Sequence, residues 1–217
     1  MVAAGDVAGL VAAAPDLEPL RSPELACGLD VTVPRPDGRP GWARLRCRHG
    51  LRGDRVASTA SAGGAVEVAA YAAGHWQSEL ARAATVPLLA DAPPPPDATL
   101  DVPLEVLLAA GGAVRSGRGD VLDELVRRAG TEDPAALRGQ LVRVHTAGVG
   151  RLTATVASHG DGGPRVGWVS WLLFADGWRS LTPVRRDGRP MVHLAPAVPL
   201  DLGAQVAALV TLARGRR

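Results

Sequence analysis

Gly148-Val-Gly-Arg-Leu-Thr-Ala-Thr-Val-Ala-Ser158 opens the stretch, residues 148–214, whose reading decides the fold. Leu152, Ala154 and Val156 alternate with Arg151, Thr153 and Thr155, the two-residue period of a half-buried strand. His159-Gly-Asp-Gly-Gly-Pro164 suits only a turn. Val166 to Phe174 reads as a second strand, apolar on both faces around Trp168 and Trp171. Asp176-Gly177 and Asp187-Gly188 then separate a strand at Trp178 to Val184 from one at Met191 to Ala195. Asp-Gly between extended runs is a hairpin signal, because a tight turn needs positive φ. Pro199 opens a helix with Leu202, Val206, Leu209 and Val210 on one stripe. The stretch is thus an antiparallel meander with a helix to cover one face.

The preceding chain follows a similar plan. Val7 to Ala14 reads as a short helix stopped by Pro15, and Ser22-Pro23-Glu24 as the cap and first turn of another, ending near Gly28. Leu29 to Val33 suits a strand. Trp42, Arg44, Arg46 and Arg48 alternate with Ala43, Leu45 and Cys47, giving a strand with one solvated face. Arg55 to Ser61 and Ala65 to Tyr71 form a hairpin across Gly63-Gly64. Gly74 to Ala84 is a helix bearing Trp76, Leu80 and Ala83. Pro93 to Pro96 is a stiff polyproline run that suits a boundary. Three helical pieces follow: Pro103 to Ala110, Arg118 to Ala129, and one capped by Asp133-Pro134 with Leu137, Leu141 and Val144 in its stripe. The expected organisation is an N-terminal α+β half over residues 1–90, a Pro-rich linker over 91–102 and a C-terminal half over 103–217.

Composition bounds the function. A chain of 217 residues, 47% apolar and 21% charged, belongs with globular proteins long enough to bury a core. All 24 basic residues are Arg, and Lys, Asn and Ile are absent, which reads as the codon bias of a GC-rich genome. The net charge of +2 is small. The seven Arg between Arg35 and Arg55, with Trp42 among them, read as a solvated hairpin rather than a nucleic-acid stripe. Cys27 and Cys47 form no disulfide framework or metal motif. The start Met1-Val-Ala-Ala-Gly-Asp6 lacks a basic leader, and no long uncharged apolar run occurs. The expected location is therefore the cytoplasm.

A resemblance emerges from the order of Gly150-Arg151 and its strand, Ser170-Trp171, Asp176-Gly177, a strand ending in Ala195-Pro196, and a Leu-spaced helix. Ser22-Pro-Glu-Leu-Ala26, Val86-Pro-Leu-Leu89 and Leu100-Asp-Val-Pro-Leu-Glu105 extend it over most of the chain. The sequence resembles the EspG family, cytosolic chaperones of ESX (type VII) secretion. The family tends to carry Asp-Thr after its Trp and then Gly-Arg-Tyr; here Leu173-Phe174 and Gly177-Trp178-Arg179 stand instead. The resemblance implies an α+β fold of two related halves about a pseudo-twofold axis, each a meander with covering helices, together with a helical bundle. It also implies a family start missing before Asp6. It further implies a non-enzymatic protein that binds helical-hairpin substrates of the PE-PPE or WXG type and keeps them soluble. The family uses its sheet and C-terminal helical bundle for this.

The residues themselves offer little catalytic chemistry. His49, His75, His145, His159 and His193 sit singly. Gly112-x-x-x-x-Gly117-Arg118-Gly119 lacks the Lys and hydroxyl of a phosphate loop, so it reads as a helix connection. Asp120, Asp123 and Glu124 lie on the solvent side of a helix. No metal, nucleotide or other cofactor, no nucleic acid and no membrane span is expected; a homodimer stays open. The most concentrated feature is apolar: Trp168, Trp171, Leu172, Leu173, Phe174 and Trp178, which suits either a core strand or a protein-binding patch. The expected partner surface is Leu122, Leu125, Arg127, Arg128 and Leu137 on the helices, with Phe174, Trp178 and Arg179 at the meander edge. The alternatives are a small-ligand binder or enzyme using the meander as a cup, and an Arg-rich nucleic-acid binder.

Overall fold

The computed structural model describes residues 2–3, 7–35, 37, 39–86, 95–97, 99–160 and 163–214. In chain order the elements are β1 (Val2–Ala3), α1 (Val7–Ala13), a 3-10 turn (Pro15–Leu17), α2 (Glu18–Arg21), β2 (Leu25–Pro34), β3 (Trp42–Arg52), β4 (Arg55–Ala62) and β5 (Ala65–Ala72). A second 3-10 turn (Ala73–His75) leads into α3 (Trp76–Ala84). Then come β6 (Leu100–Pro103), α4 (Leu104–Arg115), α5 (Gly119–Ala129), α6 (Pro134–Thr146), β7 (Gly150–Gly160), β8 (Gly163–Phe174), β9 (Gly177–Arg186), β10 (Arg189–Ala197) and α7 (Pro199–Arg214). The protein is α+β, and four strands followed by a helix occur twice in the order.

The chain divides into two compact units. The first holds Met1–Pro87, Leu152–Ser170 and Val198–Arg217. Its strand order is β1-β5-β4-β3-β2-β7-β8. The β2–β3, β3–β4 and β4–β5 pairs are antiparallel, with Leu29 opposite Cys47, His49 opposite Ser58 and Val56 opposite Tyr71. Gly63 and Gly64 turn β4 into β5 with φ of 56° and 85°, the left-handed pair a two-residue hairpin requires.

The predicted helix at Ser22-Pro23-Glu24 is not formed. Ser22 instead closes α2, and the strand begins at Leu25, earlier than Leu29. The reason lies in burial. Leu25, Cys27, Leu29 and Val31 are all at most 2% exposed and alternate strictly, so pairing with β3 outweighs the local capping signal.

α3 and α7 lie on one face of this unit's sheet. Gly203 of α7 meets Gln77 of α3 closely enough that a Cβ would come within 2.8 Å of Gln77 Cβ. Gly167 of β8 lies under Leu209 of α7, and Ser158 Oγ donates to the Ala213 carbonyl at 3.1 Å. Leu202 and Val206 are buried, as their stripe predicts. α2 packs on the opposite face, where Leu17, Leu20 and Ala57 form a small core.

The second unit holds Leu88–Arg151 and Trp171–Ala197. Its strand order is β8-β9-β10-β6, with His193 opposite both Thr182 and Asp101. Residues 100–102, expected in the Pro-rich linker, belong to β6, and the helix starts one residue later than expected, at Leu104, because Pro103 still pairs with Met191. Val102, Val106, Leu107, Leu122, Leu137 and Leu141 join Val192 and Leu194 in one core. The Gly-rich segment is a helix connection only over Ser116 to Arg118, with Gly117 at φ 66°; Gly112 to Arg115, expected in the connection, continue α4 beyond the expected end at Ala110, and Gly119 opens α5. Asp133 Oδ1 accepts from the Ala136 N–H at 2.8 Å, the expected N-cap of α6. Asp187 and Gly188 turn β9 into β10 with φ of 51° and 77°, also as predicted. Pro93 and Pro94 of the polyproline run lie outside the described residues, as does the side chain of His159.

Candidate partner-binding surface

The aromatic concentration of β8 and β9 is divided between core and surface. Side chains alternate along β8, so Gly167, Val169, Trp171 and Leu173 share one face, and Val166 and Trp168 the other. Trp171, Phe174 and Trp178 are 0%, 0% and 3% exposed, and the two Trp rings meet at 6.1 Å. Trp168 and Val166 are each 61% exposed. Of the two readings left open for this cluster, core suits Trp171, Leu173 and Phe174, while in the first half of β8 only the face under α7 is covered.

The eight residues expected to meet a partner separate in the same way. Phe174 and Trp178 are core residues and present no surface. Arg179 is buried as well, with Nη2 2.6 Å from Asp176 Oδ2. Leu122 and Leu137 lie in the core of α4, α5 and α6. For the apolar residues the physical reason is common: a helix stripe and a central strand bury their apolar side before they offer any to a partner. Leu125 is half-buried against that core, while Arg127 and Arg128 stay exposed and both pair with Glu124, at 2.5 and 2.7 Å. The helix carboxylates behave as solvated charges. Arg118 bonds Asp120 and holds its carboxyl down to about 2, and Glu124 is lowered by Arg127 and then Arg128. Neither is raised as a general acid would require.

The more exposed surface combines the Arg row of β3, expected as a solvated hairpin, with Trp168 of the apolar cluster; none of these is among the eight residues expected to meet a partner. In β3, Trp42 (60% exposed), Arg44, Arg46 and Arg48 project from the side of the sheet away from α3 and α7. Their register partners on β2 are Pro34, Thr32, Asp30 and Gly28. Asp30 binds Arg44 through a forked contact and lies 3.5 Å from Arg46 Nε. On β8, Val166 and Trp168 project from the same side of the sheet. The alternation at Trp42 to Arg48 was legible as a solvated face. The exposure of Trp168 had no local signal, because only the contact of Gly167 with Leu209 fixes which face α7 covers.

On the covered face, His49 is 4% exposed, 6.1 Å from the Trp76 ring, with Nδ1 3.0 Å from Tyr71 Oη and Nε2 without a partner among the described residues. Burial pushes its pKa down to about 4, against a smaller raising effect of Glu79. Cys27 and Cys47 are buried free thiols, pushed up to about 12 and about 11 chiefly by burial, so they are held as unreactive thiols. His145 is lowered by burial while its Nε2 contacts the Leu107 carbonyl at 3.0 Å. His193 Nδ1 bonds Asp101 Oδ1 at 2.8 Å, and Asp101 is lowered first by that contact and then by Arg186. Among the described residues no three His, Cys, Asp or Glu side chains gather to hold a metal, and no helix is long and apolar enough to cross a membrane.

No family model matches the sequence, and no curated protein matches it. Among solved structures, the type VII secretion system chaperone EspG5 of Mycobacterium tuberculosis, in complex with a PE25-PPE41 dimer, superposes with a TM-score of 0.62. The match covers 90% of this chain and 75% of the chaperone, at 16% identity. This chain shares the chaperone's fold. HtdX of the same organism aligns with a TM-score of 0.13 and carries no likeness of fold. The α+β class inferred from strand order and the Asp-Gly turns agrees with this neighbour, whose likeness is one of architecture at that identity.

Proposed function

We propose that this protein is a secretion-chaperone-type binding protein of EspG character, acting in the cytoplasm on helical-hairpin partners of the PE-PPE class and performing no catalysis of its own. The observation that carries the reading is the fold shared with EspG5, a chaperone whose solved structure holds a PE25-PPE41 dimer. The chemistry is consistent with it: an apolar helix tip aggregates unless covered, and a rigid sheet with exposed Trp and Arg side chains is suited to cover it. In this reading α5 contributes Leu125, Arg127 and Arg128 to the partner contact.

The test is co-expression with a PE-PPE pair, followed by purification on a tag carried by the pair and size-exclusion chromatography with light scattering. A stable complex of defined stoichiometry is the expected result. If several such pairs emerge without this protein, the chaperone reading falls.

A further inference from the structure

We propose that the uncovered face of the first unit's sheet is a docking surface for an amphipathic helical segment with acidic residues beside its apolar stripe. The inference rests on the reading above that the chain holds a protein partner, and it names the chemistry of the partner surface. Trp42, Arg44, Arg46 and Arg48 occupy every second position of β3, about 7 Å apart on an extended strand. Val166 and Trp168 lie on the same side of the sheet. α2 covers this side only from Gly50 onward, where an added Cβ would fall 1.9 Å from the Pro19 carbonyl oxygen. The open region therefore begins at Arg48 and runs to Trp42.

Charge selects the occupant. Three guanidinium groups face one carboxylate, because Asp30 serves both Arg44 and Arg46. Arg48 lies opposite Gly28 and has no acidic partner among the described residues. The exposed Trp42 stands in the same row as these cations and the exposed Trp168 adds apolar area on the same face three strands away, and Trp and Arg are the side chains that most often anchor interfaces. A guanidinium fork matches a carboxylate. A nucleic acid is the poorer fit: a phosphate chain needs several unneutralised cations along its track, and here Asp30 already occupies two of the three.

The experiment uses the full chain and its own fluorescence. Trp76, Trp171 and Trp178 are buried, so Trp42 and Trp168 are the fluorophores that a surface ligand reaches. Three probes are titrated: a synthetic Leu/Glu amphipathic helical peptide, the same peptide with Gln for Glu, and an oligothymidylate. The Leu/Glu peptide is expected to saturate the Trp signal, and the Gln peptide to bind more weakly by about tenfold or more. Arg48→Glu and Trp168→Ala, both at exposed positions, should each weaken the Leu/Glu peptide by a similar factor with circular dichroism unchanged. Equal binding of the Gln peptide, indifference to Arg48→Glu, or tighter binding of the oligothymidylate overturns the proposal. Capture of a PE-PPE pair is scored separately. A pair held equally by wild type and Arg48→Glu leaves the chaperone reading standing and removes this face from it.

Discussion

Acid should weaken this fold through His49, and the size of the effect follows from where the ring sits. The imidazole lies between β3 and α3 with one nitrogen on Tyr71 and the other without a partner among the described residues. Protonation would place a charge there with nothing to accept from Nε2. Its folded pKa is depressed from 6.5 to about 4, so the unfolded chain binds the proton more readily. For a base depressed in this way, stability is complete above the unfolded pKa, falls as the pH drops below about 6.5, and stops falling near pH 4. The full interval of about 2.5 units corresponds to about 3 kcal/mol, of which about 2 kcal/mol is lost by pH 5. Urea denaturation of wild type and His49→Gln, from pH 8 down to about pH 4.5, measures it. Gln is neutral throughout and can still reach Tyr71, and the acid response of the carboxylates and of His145 is common to both proteins. The difference between the two stabilities should therefore close by about 2 kcal/mol between pH 8 and pH 5. A difference that stays constant over that range refutes the argument that burial of this ring sets the slope.

Trp178→Asp should abolish folding and not merely a contact, since a carboxylate replaces a ring 3% exposed against Trp171; thermal melts should show no cooperative transition. Gly50→Ala should destabilise by about 1–3 kcal/mol, because the new methyl meets the Pro19 carbonyl at 1.9 Å and α2 must shift; chemical denaturation reads it. Asp133→Ala should lower stability by about 1 kcal/mol through loss of the α6 cap, seen as a drop in Tm with the fold intact. Equilibrium dialysis with zinc or ATP should find no stoichiometric binding; one tightly held equivalent of either would reopen the cofactor-bearing alternatives.

The legible parts of the fold were those fixed by local chemistry. Asp187-Gly188 and Gly63-Gly64 tolerate the positive φ that a two-residue hairpin turn needs, so these hairpins were readable from the local sequence. Asp133-Pro134 is a cap in sequence and in structure. Where local signals competed with pairing, pairing prevailed: Ser22-Pro23-Glu24 carries a helix-start pattern, yet the alternation from Leu25 to Val31 finds β3 beside it. The candidate site was less legible for a related reason. Apolar density marks both cores and interfaces, and nothing local to Trp168, Trp171, Phe174 and Trp178 distinguishes them.

By itself the sequence determined the α+β class, most strands and their turns, the stripes of α3 and α7, and the row of Arg on β3. These follow from periods of 2 and 3.6 residues and from backbone preferences, which act within a few positions. The tertiary structure alone decided which face of β8 is covered and how far along β3 the cover of α2 extends. That depends on Leu209 meeting Gly167, Gln77 meeting Gly203 and Pro19 meeting Gly50, contacts between residues far apart in the chain. A side chain's exposure is a property of the element laid over it, so the same alternation that buries Trp171 leaves Trp168 in solvent.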